Sequence, residues 1–227
     1  MLSDYFELGS EPVFRLMERA EFPWDPLKEL KPFLQQFLAE NGGRVPEALH
    51  PSIIIKGDVH IEDGVLLEEG IFIQGPAVLQ SGAQVRFGAY IRGNVWIGPD
   101  CVVGHDTEVK HSLFLPGAKA AHFAYVGDSI LGRDVNLGAG TKLANVKVDM
   151  GRETVKVRWN GAVRDSGLRK IGAILGDGVS LGCNTVTSPG TLVGKNSLCY
   201  PLSSLSGVYP PNQIIKFRPE LQLSERR

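Results

Sequence analysis

Residues 53–115 read IIIKGDVHIEDGVLLEEGIFIQGPAVLQSGAQVRFGAYIRGNVWIGPDCVVGHDTEVKHSLFL. Every sixth residue from position 55 is aliphatic: Ile55, Ile61, Leu67, Ile73, Leu79, Val85, Ile91, Ile97, Val103, Val109 and Leu115. A helix repeats its apolar positions near 3.6 residues and a strand by two, so a period of six suits short strands joined by turns. The repeat predicts a parallel β-helix of about seven coils, each built from three hexads, with the aliphatic side chains stacked inside it.

A second, smaller apolar series precedes the first by two residues in each hexad. Its members are Ile53, Val59, Val65, Ile71, Ala77, Ala83, Ala89, Val95, Cys101, Thr107 and Leu113. The main series resumes at Leu131, Leu137 and Leu143, and again at Leu175, Leu181, Thr187, Val193 and Cys199. An antiparallel β-sandwich would instead place turns every 8–12 residues or so without a fixed phase. The constant phase therefore predicts a mainly β fold built as a prism of hexapeptide repeats.

Residues 1–48 do not share this period. The segment 25–40 is predicted to be a helix, with Asp25 as N-cap, Pro26 at the first position and Asn41-Gly42-Gly43 at its end. A short helix is also predicted over residues 12–19. We expect this segment to cap the open end of the β-helix, the alternative being contact with a neighbouring subunit. The predicted domains are thus a helical cap or extension (1–48), the β-helix (49–205) with an ejected loop at 145–170, and a tail (206–227).

Composition and charge exclude several classes of protein. The formal net charge is −1 and hydrophobic residues make up 43%, which argue against general nucleic-acid binding and against disorder. No apolar run approaches the ~18 residues that span a bilayer, and the N-terminus lacks the pattern of a signal peptide. The three cysteines, Cys101, Cys183 and Cys199, form no close pair and are expected to be reduced core thiols. We therefore expect a cytoplasmic protein without membrane contact.

Two motifs within the repeats carry a family resemblance: HFAYVGD at 122–128 and NLGAGT at 136–141. Over roughly residues 75–200 the chain resembles the acetyltransferase domain of the bifunctional glucosamine-1-phosphate acetyltransferase / N-acetylglucosamine-1-phosphate uridyltransferase family. The stretch 166–182, SGLRKIGAILGDGVSLG, looks more like the archaeal-type sugar-1-phosphate nucleotidylyltransferase/acetyltransferases. No glycine-rich nucleotide loop occurs in residues 1–50, so uridylyl transfer is not expected.

The resemblance implies a left-handed β-helix, a homotrimer with active sites between subunits, and acetyl-CoA as the acyl donor. It implies an amino sugar phosphate as acceptor, such as glucosamine 1-phosphate or a related nucleotide-linked sugar, and no tightly bound metal. It also implies roles for individual residues. The catalytic residues would be His122 (the general base), Tyr125 and Asn136. The substrate would be bound by Arg86, Lys110, Asn145 and Lys156, and the cofactor would be contacted by Ala139 and Cys183. Arg86 and Lys110 match a basic pair that grips the phosphate, with one extra hexad between them. Cys183 stands where the bacterial enzymes have serine.

Several readings remain open at this stage. The loop at 145–170 holds Arg152, Arg158, Arg164, Arg169 and Lys170 and is expected to bind an anion, although a solvated surface loop is the plainer reading. Asp128 is expected to be a structural turn residue that binds nearby backbone. One rival function is a metalloenzyme of the γ-carbonic anhydrase type, for which His105, His111 and His122 are available. The other is a non-catalytic scaffold or regulatory subunit.

Overall fold

A computed structural model describes residues 1–148, 151 and 153–220. Arg152 of the basic loop and residues 221–227 of the expected tail lie outside this part. Three sheets of eight parallel strands account for nearly all the described strands, and one antiparallel hairpin accounts for the rest. None of the helices in the described ranges is long and apolar enough to cross a bilayer.

The chain winds through the three sheets in a fixed order, so each sheet gains one strand per coil. Sheet I contains Ile54–Lys56, Phe72–Gln74, Tyr90–Arg92, Glu108–Lys110, Tyr125–Gly127, Lys142–Leu143, Val186–Thr187 and Ser204–Leu205. Sheet II contains Val59–Ile61, Ala77–Leu79, Val95–Ile97, Ser112–Phe114, Ile130–Leu131, Ala173–Leu175, Thr191–Val193 and Val208–Tyr209. Sheet III contains Leu66–Leu67, Gln84–Val85, Val102–His105, Lys119–His122, Asn136–Leu137, Ser180–Leu181, Leu198–Cys199 and Ile214–Ile215.

This topology confirms the parallel β-helix predicted from the repeat. Strand partners in the first coils lie 18 residues apart, as in Ile55 opposite Ile73, which is three hexads. The two apolar series fill one continuous core inside the prism. The prism has about nine turns, more than the predicted seven, because strands continue through Ile214–Ile215. The expected tail thus contributes strands, while the domain limits themselves stay a prediction.

The register slips by one residue at His111. Sheets I and II are joined by two residues in the early coils but by His111 alone between Lys110 and Ser112, so partners there lie 17 apart. Phe114 therefore enters the core in place of the expected Leu115, and Ser112 replaces Leu113. Leu113 and Leu115 point outward instead, into a second apolar cluster. The two predicted series are wrong at this one step.

The N-terminal helices pack along the side of the prism. Helix α1 covers Phe14–Glu18 and helix α2 covers Pro26–Asn41, with Asp25 as N-cap and Gly42, at φ 76°, as C-cap. Their apolar residues contact the outward side chains of sheet II: Val78, Trp96, Leu113, Ile130, Ile174 and Leu192. The helices therefore pack on the side of the prism and not, as expected, over its open end. The physical reason is that the outer face of sheet II is apolar, and α1 and α2 shield it from water.

The loop at 145–170 is not fully ejected into solvent. It contains a hairpin of Lys156–Trp159 and Ala162–Asp165, in which Val157 and Trp159 face the same flank cluster as the helices. The Trp159 ring lies 5.7 Å from Tyr5 and 6.0 Å from Trp24 between centroids. Strand alternation leaves Lys156 and Arg158 on the opposite, exposed face.

The register slip predicts an unequal response to truncation. Phe114→Ala removes a fully buried core ring and is expected to lower the free energy of unfolding by about 3–5 kcal/mol. Leu66→Ala, a half-exposed position on sheet III, should change it by less than about 0.5 kcal/mol. Chemical denaturation of the two variants measures both values, and a small loss for Phe114→Ala would contradict the assigned register.

Candidate active site

His122 lies at the corner where the chain passes from sheet III to sheet I, here called corner III/I. The equivalent residues of successive coils are Phe87, His105, His122, Ala139 and Cys183. Each accepts, through its carbonyl oxygen, a hydrogen bond of 2.8–3.2 Å from the coil below. Adjacent coils in such a stack lie about 4.8 Å apart. His122, the expected base, therefore lies on the same edge of the prism as Ala139 and Cys183, the residues expected to contact the cofactor, each one coil below the last.

The side chains along this edge are open to solvent. His122 and Cys183 are exposed, so the expectation that all three cysteines are core thiols is wrong for Cys183. Burial raises the pKa of the Cys101 thiol to about 12, which leaves that thiol inert. Asn136 lies on the outer face of sheet III, three residues before Ala139, and is also exposed.

A second group forms at the corner between sheets I and II, here called corner I/II. The Lys110 ammonium donates to Asp128 Oδ2 at 3.0 Å, and Asn145 Nδ2 donates to the same oxygen at 2.5 Å. Asn145 also hydrogen-bonds the Tyr125 hydroxyl. A Cβ on Gly127 would lie 2.7 Å from both this hydroxyl and Asn145 Nδ2, so only glycine leaves room for the contact.

Asp128 is the centre of this group, which corrects its expected role. Its carboxylate was predicted to bind nearby backbone, yet it receives the side chains of Lys110 and Asn145. The side chain is only 7% exposed, and these two donors provide hydrogen bonds to the buried carboxylate in place of water. Burial, with help from the charges of Glu108 and Asp128, raises the pKa of Tyr125 and keeps its hydroxyl protonated as a donor.

The structure does not bring Arg86 and Lys110 together in one chain. Arg86 follows the strand Gln84–Val85 at corner III/I, where its guanidinium donates to Gln84 Oε1 at 3.1 Å. Lys110 lies at corner I/II. The strands of sheet I separate the two corners, so the side chains do not meet. The residue one coil above Lys110 is Arg92, since Tyr90 and Ile91 pair with Glu108 and Val109.

Arg92 and Glu108 are the candidate residues that the sequence analysis missed. Arg92 donates to Glu108 Oε1 at 2.5 Å, directly above the Tyr125 position on the outer face of sheet I. Counting one coil of 18 residues back from Lys110 would have identified Arg92 from the sequence alone. Lys156 lies apart from His122 at corner III/I and from Asp128 at corner I/II, on the exposed face of the hairpin.

The three histidines of the metalloenzyme alternative are not gathered in one chain. His105 and His122 are register partners at corner III/I, whereas His111 lies at corner I/II and hydrogen-bonds the Leu27 carbonyl at 3.0 Å. Burial, partly offset by the Asp128 charge, lowers the pKa of His111. Across the described ranges, no three His, Cys, Asp or Glu side chains form a group able to hold a metal ion.

Comparisons with known proteins identify the family. Residues 73–193, more than half of the chain, match the family model described as the GMPPB C-terminal domain. A bifunctional protein GlmU of Methanococcus maripaludis strain C7 is 43% identical over 205 residues, covering 90% of this chain and 48% of that protein. A GlmU of Methanocaldococcus jannaschii is 39% identical over 174 residues, covering 77% and 41%.

A bifunctional sugar-1-phosphate nucleotidylyltransferase/acetyltransferase of Sulfurisphaera tokodaii is 42% identical over 92 residues, covering 40% of this chain and 22% of that protein. The chain thus spans less than half of the length of these relatives. Their similarity supports the resemblance drawn from the HFAYVGD and NLGAGT motifs. The chain belongs to the GMPPB C-terminal domain family and is related to the acetyltransferase domain of the GlmU proteins.

Proposed function

We propose that this protein is an acetyl-CoA-dependent N-acetyltransferase that acts on an amino sugar phosphate. The observation that carries the proposal is the vertical alignment of His122 with Ala139 and Cys183 at corner III/I, with the Tyr125, Asn145, Asp128 and Lys110 group at the other end of sheet I. An acyl donor extended along corner III/I would bring its thioester next to the imidazole. The kinship with GlmU proteins supports the same chemistry.

The reaction needs a neutral amine, a stabilised oxyanion and a leaving thiol. His122 accepts a proton from the amine as nitrogen attacks the thioester carbonyl, since imidazole exchanges protons near neutral pH. The C–S bond then breaks, the electron pair leaves with sulfur, and the proton held by His122 passes to sulfur, which yields CoA and the N-acetyl sugar. Asn136, exposed on the neighbouring face of sheet III, is the proposed side-chain donor to the oxyanion.

The acceptor is proposed to lie across the outer face of sheet I. Tyr125 lies on sheet I, between His122 at corner III/I and Asp128 at corner I/II, so an amine near His122 leaves the rest of the sugar beside the tyrosine. Lys110 and Arg92, one above the other, are the proposed cations for the phosphate. A homotrimer with shared sites, a cytoplasmic location and glucosamine 1-phosphate itself remain parts of this proposal.

Loss of the base should remove most of the activity. His122→Ala is expected to lower acetyl transfer to glucosamine 1-phosphate by about 10²–10⁴-fold. Release of the free CoA thiol measures the rate. His50→Ala, an exposed histidine on the first coil that bonds Ser52, is the matched control and should retain activity. Equal rates in the two variants would remove His122 from the mechanism.

Asp128 is proposed to be a positioning residue. Asp128→Asn keeps the shape and tolerates the left-handed backbone (φ 48°) but removes the charge that holds Lys110. We expect KM for the sugar phosphate to rise about tenfold or more, while KM for acetyl-CoA stays unchanged. Asp134→Asn, an exposed turn aspartate with φ 54°, is the control. A uniform loss for both substrates would indicate a merely structural role.

The two arginines can be separated by the same kinetics. Arg92→Ala is expected to raise KM for the sugar phosphate about tenfold or more, because a charge-assisted hydrogen bond to phosphate is lost. Arg86→Ala, at the other corner, should affect this KM less. A larger increase in KM for Arg86→Ala than for Arg92→Ala would contradict this assignment. It would favour the pair of Arg86 and Lys110 suggested by the sequence, with the two residues coming from neighbouring copies of the chain.

A further inference from the structure

A groove below Asn145 is not used by the chemistry proposed above. It has a volume of about 750 Å³, within the range of small-molecule sites of roughly 300–1,000 Å³. Its lining comes from 146–148, from 156–158 of the hairpin, and from 186–190 and 206–207 of the last coils. Ala144 also lines it and is the chain neighbour of Asn145, so the groove lies close to the Asp128 group.

The groove carries concentrated positive charge. Lys147, Lys156 and Arg158 line it, and no carboxylate belongs to its described lining. Lys156 and Arg158 lie two residues apart on the exposed face of their strand, while Val157 between them also lines the groove and packs into the flank cluster.

The acidic residue opposite Lys156 in the hairpin is engaged elsewhere. Asp165 pairs with Lys156 across the hairpin, but its carboxylate accepts from the Thr154 hydroxyl and the Gly167 amide, each at 2.8 Å. These two hydrogen bonds, with a smaller contribution from Lys156, lower the pKa of Asp165. The Lys156 ammonium is not a donor in either of these hydrogen bonds.

Apolar and hydroxyl groups lie beside the cations. Val146, Val186 and Pro189 offer an apolar surface, and Ser188 and Ser206 offer hydroxyls. A ligand that matches this lining carries several phosphate charges for the cations and a ring that packs against the apolar side chains. A free inorganic anion would use only the cations.

We infer that the groove binds the phosphorylated nucleoside end of a substrate. The inference rests on the proposed function, which supplies two such groups: the adenosine phosphates of acetyl-CoA and the nucleotide of a nucleotide-linked amino sugar. In both cases the groove holds the part of the substrate that does not react, so it contributes binding energy and orientation.

Titration calorimetry with adenosine 3′,5′-bisphosphate and with UDP tests the inference without any acyl transfer. The double variant Lys156→Ala/Arg158→Ala is expected to weaken the tighter-binding probe at least about tenfold, because two charge-assisted contacts are lost. Arg164→Ala, an exposed cation on the other hairpin strand and outside the groove, is the matched control and should bind normally. Preference for the bisphosphate assigns the groove to the acyl donor, and preference for UDP assigns it to the acceptor.

The inference is overturned if neither probe binds, or if the double variant and Arg164→Ala lose the same affinity. Normal acetyl transfer without probe binding would overturn the groove alone and leave the proposed function in place. If no acetyl transfer occurs but the probe binds and the double variant weakens that binding, the proposed function is overturned and the groove assignment stands.

Discussion

Parallel backbone hydrogen bonding between successive coils is the constraint on which this structure depends. It places each residue directly beneath the residue one coil earlier, so side chains far apart in sequence form columns. Inside the prism the columns are apolar ladders. Outside it, the same rule creates the His122 edge and the Asp128 group. A fold without a fixed register could not align these groups from three different coils.

The fold was predictable because six is a multiple of the strand period and the phase holds over many hexads. The slip at His111 was not, because Leu113 and Leu115 are as apolar as the core residues they were taken for. Their hydrophobicity serves the flank beneath α1 and α2. The position of α1 and α2 was likewise hidden, since an outward apolar residue on sheet II looks like any other hydrophobic residue in a one-dimensional pattern.

The site was partly predictable. The family resemblance implied roles for Lys110, Tyr125 and Asn145, and the structure brings them together around Asp128. The role of Asp128 could not be foreseen, because it depends on the corner after Gly127, where the Asp128 carboxylate meets side chains from the coils above and below. Arg86 is the converse case: similarity along the chain does not reveal at which corner of a prism a residue falls, whereas counting by coils does.

The first residues of the chain are tied to some of its last coils. The carbonyl oxygen of Tyr5 accepts from the Asp177 amide at 2.8 Å, and that of Asp4 from the Lys195 amide at 2.9 Å. Such contacts span most of the polypeptide, so their loop closure follows the formation of the coils they join. Residues 4 and 5 are synthesised before the coils that they contact and dock only after those coils have formed. Until then the outer face of sheet II, with Trp96, is an exposed apolar surface to which chaperones or other nascent chains can bind.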